Sequence, residues 1–168
     1  QGDYETTKTE ADRILIEEAS SRGLSFSILR PSIVFGPGMP NQSLFQMIRM
    51  IEKGRFFFIG SSGASANYIH VDGVVEALML CARLPAAKGR IYNLSDHRTL
   101  EEFVGAIAGA LEIHPPRLRM PEGPVRLAAR LGKLIPSFPL TPSRIDALVS
   151  RTLYPSGRIE RELGYSHE

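Results

Sequence analysis

Apolar residues recur at helical spacing at the start of the chain. Ala11, Ile14, Leu15 and Ala19 stand among Glu, Asp, Lys and Arg, and Gly23 falls where a C-terminal cap belongs. The pattern predicts an amphipathic helix from Tyr4 to about Arg22. Residues 26–29 and 33–35 then form an apolar run around Arg30-Pro31, closed by Gly36-Pro37-Gly38. That is the texture of one buried strand leaving its sheet into a loop. A helix that feeds a buried strand implies an α/β sheet.

The alternation continues downstream. Leu44, Phe45, Ile48 and Ile51 predict a short helix over 43–52, and residues 56–59 and 67–71 predict two short strands, an inserted hairpin around Gly60-Ser61-Ser62-Gly63. Asp72 is placed to cap a helix running to about Arg83, and residues 91–95 predict a strand. Thr99-Leu100-Glu101-Glu102 has the form of a capping box opening a helix with Phe103, Ile107 and Leu111 on one face. Beyond it Pro115, Pro116, Pro121, Pro124, Pro136 and Pro139 punctuate helices expected near 124–134, 142–151 and 156–163. The change of texture divides the chain into a sheet-bearing part, 3–98, and a small mostly helical lobe, 99–168.

With 168 residues, 43% of them hydrophobic, the chain is long enough for one substantial core. Lys plus Arg number 20 against 18 Asp plus Glu, and they are scattered, which points away from nucleic acid and anionic membranes and toward a small-molecule or protein partner. Cys81 has no second cysteine to pair with and fits a reducing compartment. No apolar run approaches the ~20 residues that span a bilayer, so the expectation is a cytoplasmic protein. Gln1-Gly2 match the remnant of a cleaved expression tag and are set aside from the fold.

The chemistry concentrates at the first helix. Tyr4 and Lys8 are four residues apart, so they share one helical face and can act on one object. A phenol titrates near ~10 and moves protons poorly at neutral pH, but a neighbouring cation favours its phenolate. The Gly60/Gly63 pair precedes a strand, not the helix a phosphate loop needs. His70 reads as structural, His97 and His114 lack metal-ligand spacing, and Glu17, Glu18, Glu101 and Glu102 read as solvated helix faces.

Taken in order, five segments resemble the extended short-chain dehydrogenase/reductase group, the NAD-dependent epimerase/dehydratase family: Tyr4-x-x-x-Lys8 with Ala11 and Asp12, Leu29-Arg30-Pro31-Ser32-Ile33-Val34-Phe35-Gly36-Pro37-Gly38, Tyr68-Ile69-His70-Val71-Asp72, Ile91-Tyr92-Asn93-Leu94, and Arg161-Glu162-Leu163-Gly164-Tyr165. The resemblance implies the second half of an NAD(P)-binding Rossmann-like α/β fold with a small substrate-binding lobe. It implies Tyr4 and Lys8 as the proton shuttle and ribose contact, Pro31, Ser32 and Ile33 along the nicotinamide, and NAD or NADP as cofactor. The glycine-rich strand-turn-helix that holds the dinucleotide pyrophosphate, and the Ser or Thr that helps polarise the substrate oxygen, belong to a first half that this sequence does not contain. The chain is therefore expected to be a truncated piece, inactive alone, whose partners are a missing N-terminal Rossmann half, a small-molecule substrate and a second copy paired through the Tyr/Lys helix.

Three departures bear on the substrate. Ile33 stands where nucleotide-sugar members carry Asn, Asn67 where they carry Arg, and Gly73 where they carry an acid. Losing an Arg removes a bidentate phosphate clamp, which Arg117, Arg119, Arg126 or Arg144 would have to replace. Asn67 and Arg144 are the candidate substrate contacts. The segment ending in Tyr154-Pro155-Ser156-Gly157-Arg158 is more similar to the sterol dehydrogenase and flavonol reductase branch. The competing expectation is a binding or assembly module that keeps the fold with an idle Tyr and Lys.

Overall fold

The computed structural model describes residues 3–40, 42–132 and 141–166, with Tyr4, Glu5 and Gly132 described by backbone alone. In chain order the elements are α1 (Asp3–Arg22), β1 (Ser27–Pro31), β2 (Ile33–Phe35), α2 (Gln42–Glu52), β3 (Phe58–Ile59), β4 (Ser65–His70), α3 (Val71–Arg83), a 3-10 turn (Pro85–Ala87), β5 (Arg90–Leu94), β6 (Asp96–Thr99), α4 (Leu100–Ala110), β7 (Arg119–Met120), α5 (Glu122–Gly132), α6 (Pro142–Val149) and α7 (Gly157–Leu163). The fold is mixed α/β with parallel strands.

The chain forms two compact units, and they are interleaved. Residues 1–36, 69–96 and 154–168 make one unit, and 37–68 and 97–153 make the other. Helix α7, near the end of the chain, belongs to the same unit as α1. Strands β2, β4 and β6 are ordered β2-β4-β6, and the chain passes from one unit to the other along β4 and at β6.

In the first unit β1 and β5 pair in parallel, Ser27 opposite Arg90 through Pro31 opposite Leu94. The single strand expected around Arg30-Pro31 is two: Pro31 has no N–H to continue a ladder, and the Ser32 N–H turns to Leu94 O at 2.8 Å before β2 begins. Tyr92, Leu94, Ile69, Ala77, Ile159 and Leu163 form the core, with Leu29, Val34 and Cys81 packed against it. The Tyr92 ring is wholly buried and its hydroxyl donates to Glu162 Oε2 at 2.9 Å. Arg158 grips Glu162 through Nε at 2.9 Å and donates from Nη1 to Ile91 O, so α7 is tied to β5 by charge as well as packing. Burial, followed by the hydrogen bond to Glu162, pushes the Tyr92 phenol up to about 12.

Helix α3 begins two residues earlier than expected. His70 is its N-cap, its ring nitrogen facing the Asp72 N–H at 3.4 Å, while Asp72 lies in the first turn. Gly36 is where this corner closes: a Cβ there would lie 2.6 Å from Val71 Cγ1.

In the second unit β3 pairs with β7, in parallel, Phe58 opposite Arg119. The hairpin expected between 56–59 and 67–71 therefore does not form; a distant segment takes the edge of β3 instead. Ile51, Phe56, Phe58, Leu100, Val104 and Ala108 build one core cluster, and Ile59, Val125, Ala129 and Ile145 a second. The Thr99/Glu102 capping box forms in full, with Thr99 N–H to Glu102 Oε2 at 2.8 Å and Glu102 N–H to Thr99 Oγ1 at 3.2 Å. Pro136 and Pro139 lie outside the described residues.

Candidate active site

Helix α1 is built from strong helix formers and stapled by its own charges: Arg13 holds Glu10 at 2.5 Å and Glu17 at 2.6 Å, and Arg22 holds Glu18 at 2.7 Å. Gly23 ends it at φ +63°. The face expected to be covered is mostly open. Ala19 is buried, but Ile14 is 48% and Leu15 42% exposed. What α1 presents toward β1 is Asp12, whose Oδ2 accepts from Arg30 Nε at 2.9 Å and Nη2 at 2.5 Å.

Lys8 is exposed, one turn before Asp12 on the stripe of positions 4, 8 and 12. Tyr4 shares the helix, and its phenol lies outside the described side chains. The expected cofactor contacts sit together at the carboxyl end of the parallel β1/β5 pair. Pro31 is the last residue of β1 opposite Leu94, Ser32 lies in the break, and Ile33 opens β2 with 47% of its surface exposed. Open α/β sheets bind ligands at this end.

Two hydroxyls there are buried without a hydrogen-bond partner, Ser32 Oγ and Ser95 Oγ. Ser32 is still bonded to Leu94, so the two serines leave neighbouring strands side by side. Ser95 is fixed by Ser156, whose Oγ accepts from Ser95 N and donates to Ser95 O, both at 2.8 Å. Ser156 occupies the N-cap position of α7 yet makes no capping bond, because its hydroxyl is spent on the backbone of Ser95, just past β5. Neither Ser95 nor Ser156 carries a sequence signal, being 61 residues apart. The Asp12/Arg30 pair did leave one: an acid one turn beyond Lys8 and a base just before Pro31.

The substrate candidates belong to the second unit and are occupied. Asn67 Nδ2 donates to Thr152 O at 2.7 Å and its Oδ1 lies 3.4 Å from His97 Nδ1. Arg144 Nη2 donates to Gln46 Oε1 at 2.8 Å. Of the other arginines weighed for a diphosphate, Arg119 holds Glu101 at 2.6 Å and Arg126 bridges Glu122 and Asp146. Arg117 lines a cleft of about 350 Å³ with Arg55 and His114, next to the C-terminal ends of α2 and α4. Helix C-termini are the negative ends, which suits these cations and disfavours an anion there. Among the described residues no cluster of three or more His, Cys, Asp or Glu is placed to hold a metal, and no helix is long and apolar enough to cross a membrane.

Comparison with known proteins assigns the scaffold. The profile of the NAD dependent epimerase/dehydratase family matches residues 1–95. The chain belongs to that family. Its relatives include a 3beta-hydroxysteroid-dehydrogenase/decarboxylase isoform 1 of Arabidopsis thaliana, 26% identical, matched over 97% of this chain and 42% of the relative. Another is short-chain dehydrogenase/reductase family 42E member 1 of Bos taurus, 33% identical over 70% of this chain and 34% of the relative. Among solved structures, MoeE5 in complex with UDP-glucuronic acid and NAD superposes with a TM-score of 0.62 at 24% identity, over 98% of this chain and 50% of that one. The likeness to MoeE5 establishes the Rossmann-like fold, and the chain spans less than half the length of the two sequence relatives.

Proposed function

We propose that this chain is the C-terminal part of an NAD(P)-dependent oxidoreductase of the epimerase/dehydratase type, carrying the proton-transfer half of its site. The observation that carries this reading is the family match over 1–95, which contains both the Tyr4/Lys8 helix and the 29–38 segment at the carboxyl end of β1. The position of Pro31, Ser32 and Ile33 at the carboxyl end of the parallel β1/β5 pair supports it, since open α/β sheets bind ligands at that end. The residues present thus fit a nicotinamide, with Lys8 toward its ribose and Pro31, Ser32 and Ile33 along the ring. When bound, the dinucleotide supplies hydride transfer at a carbonyl or hydroxyl carbon. Tyr4 then gives or takes the proton on the substrate oxygen, and Lys8 holds the phenol in the form that does so.

For the substrate, a larger and less charged molecule of the sterol or flavonol kind is favoured over a sugar nucleotide. The arginines at 119, 126 and 144 are already bonded within the unit, and Asn67 spends both ends of its amide internally. The test is Tyr4→Phe in the longer protein that contains this chain, with steady-state kinetics and dinucleotide titration. Turnover is expected to fall about 10²–10⁴-fold, the worth of general acid-base catalysis, with dinucleotide affinity little changed. Unchanged turnover would refute the proton-transfer role, and a wild type that binds no dinucleotide would favour the binding-module alternative.

A further inference from the structure

Helices α2 and α4 of the second unit both end beside one cleft, and each is followed by a residue in the left-handed region, Gly54 at φ +63° and Glu112 at φ +56°. The reversals fold the chain back over the helix ends. The Arg55 and Phe56 N–H groups both donate to Met50 O, at 2.8 and 3.1 Å, and the Ile113 N–H donates to Ala108 O at 3.0 Å. Arg55, Phe56, Ile113 and Arg117 thereby come to line the cleft, whose volume is about 350 Å³.

The cleft has an apolar floor and a charged rim. Ile51 and Phe56 are 1% and 6% exposed and belong to the core, with Ile113 packed against them. Arg55, Arg117 and Glu52 are exposed, and none of these three side chains has a hydrogen-bond or ion-pair partner among the described residues. Other arginines of the unit are engaged: Arg119 holds Glu101 at 2.6 Å, Arg126 bridges Glu122 and Asp146, and Arg151 donates to Ser62 O at 2.7 Å. Exposed charges alone are ordinary surface. These surround an apolar hollow at the small end of the ~300–1,000 Å³ range of ligand sites.

Charge then selects the ligand. With histidine neutral at pH 7, the guanidiniums of Arg55 and Arg117 exceed the carboxylate of Glu52 by a single charge. The two helix C-termini, each equivalent to about half a negative charge, offset that excess. A net anion therefore gains little, and a molecule carrying both signs gains most. Arginine forks suit a carboxylate, Glu52 and the helix-end carbonyls suit an ammonium, and the floor suits an apolar side chain. We propose that this cleft binds a small apolar zwitterion, an α-amino acid with an aliphatic or aromatic side chain. The site lies wholly within the second unit and does not rest on the function proposed above.

The experiment is a ligand-observed NMR titration of the 168-residue chain at pH 7 with three probes of similar bulk. L-leucine carries both charges, N-acetyl-L-leucine lacks the ammonium, and L-leucinamide lacks the carboxylate. Leucine should bind saturably in the millimolar range, and each blocked form should bind about tenfold more weakly or worse, the worth of one charge-assisted contact. Arg117→Gln should weaken leucine about tenfold and leave leucinamide unaffected, whereas Glu52→Gln should weaken leucine and leave N-acetyl-leucine no weaker. Both residues are exposed, so neither change opens the core. Arg55→Gln carries the expectation of Arg117→Gln should that variant lose helix by circular dichroism. Absence of saturable leucine binding, N-acetyl-leucine binding as tightly as leucine, or leucine affinity unchanged in both arginine variants would overturn the proposal. No dinucleotide and no residue of the first helix is involved, so failure here leaves the Tyr4→Phe test standing.

Discussion

Replacing Ser156 by alanine removes one hydroxyl and strands two backbone groups. That hydroxyl accepts from Ser95 N and donates to Ser95 O, and both residues are buried, Ser95 at 2% and Ser156 at 6% exposure. A buried polar group left without a partner costs about 1–3 kcal/mol, so Ser156→Ala is expected to destabilise the chain by about 2–5 kcal/mol. With a urea slope of about 2 kcal/mol per molar, the middle of the usual range, the unfolding midpoint should drop by about 1–2.5 M. The control is Ser95→Ala. It deletes a hydroxyl that has no partner and leaves the backbone bonds in place, so stability should hold or rise slightly. Equilibrium urea unfolding followed by far-UV circular dichroism, with amide exchange at Ser95, measures both. A Ser156→Ala loss below about 0.5 kcal/mol, or a Ser95→Ala loss as large as that of Ser156→Ala, would refute the reasoning, because the cost is ascribed to the backbone groups alone.

Gly36→Ala should destabilise by about 1–3 kcal/mol, since the new methyl meets Val71 Cγ1 at 2.6 Å, and adding Val71→Ala should recover most of the loss; thermal unfolding of the single and double variants checks this. The Tyr92 phenol, raised to about 12 by burial and by Glu162, is held protonated more tightly folded than unfolded. Its contribution is therefore complete below about pH 10 and lost as pH climbs toward 12, so stability should decline across that window, and the highest-titrating step in phenolate absorbance should vanish in Tyr92→Phe. The exposed Ile14 and Leu15 on α1 lead us to expect a dimer through that helix; light scattering at micromolar concentration checks it, and a compact monomer would count against it.

Much of the fold was legible because its determinants are local. Gly23 in the left-handed region, the Thr99/Glu102 box and the Pro142 start follow from backbone sterics and from satisfying the first free N–H groups of a helix, which short stretches of sequence decide. The stripe of Tyr4 and Lys8 is likewise a matter of helical pitch, and so was readable before any contact was known.

What the tertiary structure decided are the pairings between distant segments. Nothing local says that β3 finds β7 instead of β4, that α7 closes on β5, or that Ser156 clamps Ser95, because each partner is a choice among many segments of similar propensity, made by global packing. Likewise Asp12 and Arg30 were both visible in the sequence, but only the fold set the Arg30 guanidinium against the Asp12 carboxylate. Sequence by itself determined which chemical groups the first helix displays. The fold determined which of them are already spoken for, since only chain closure brings a strand arginine to a helix carboxylate.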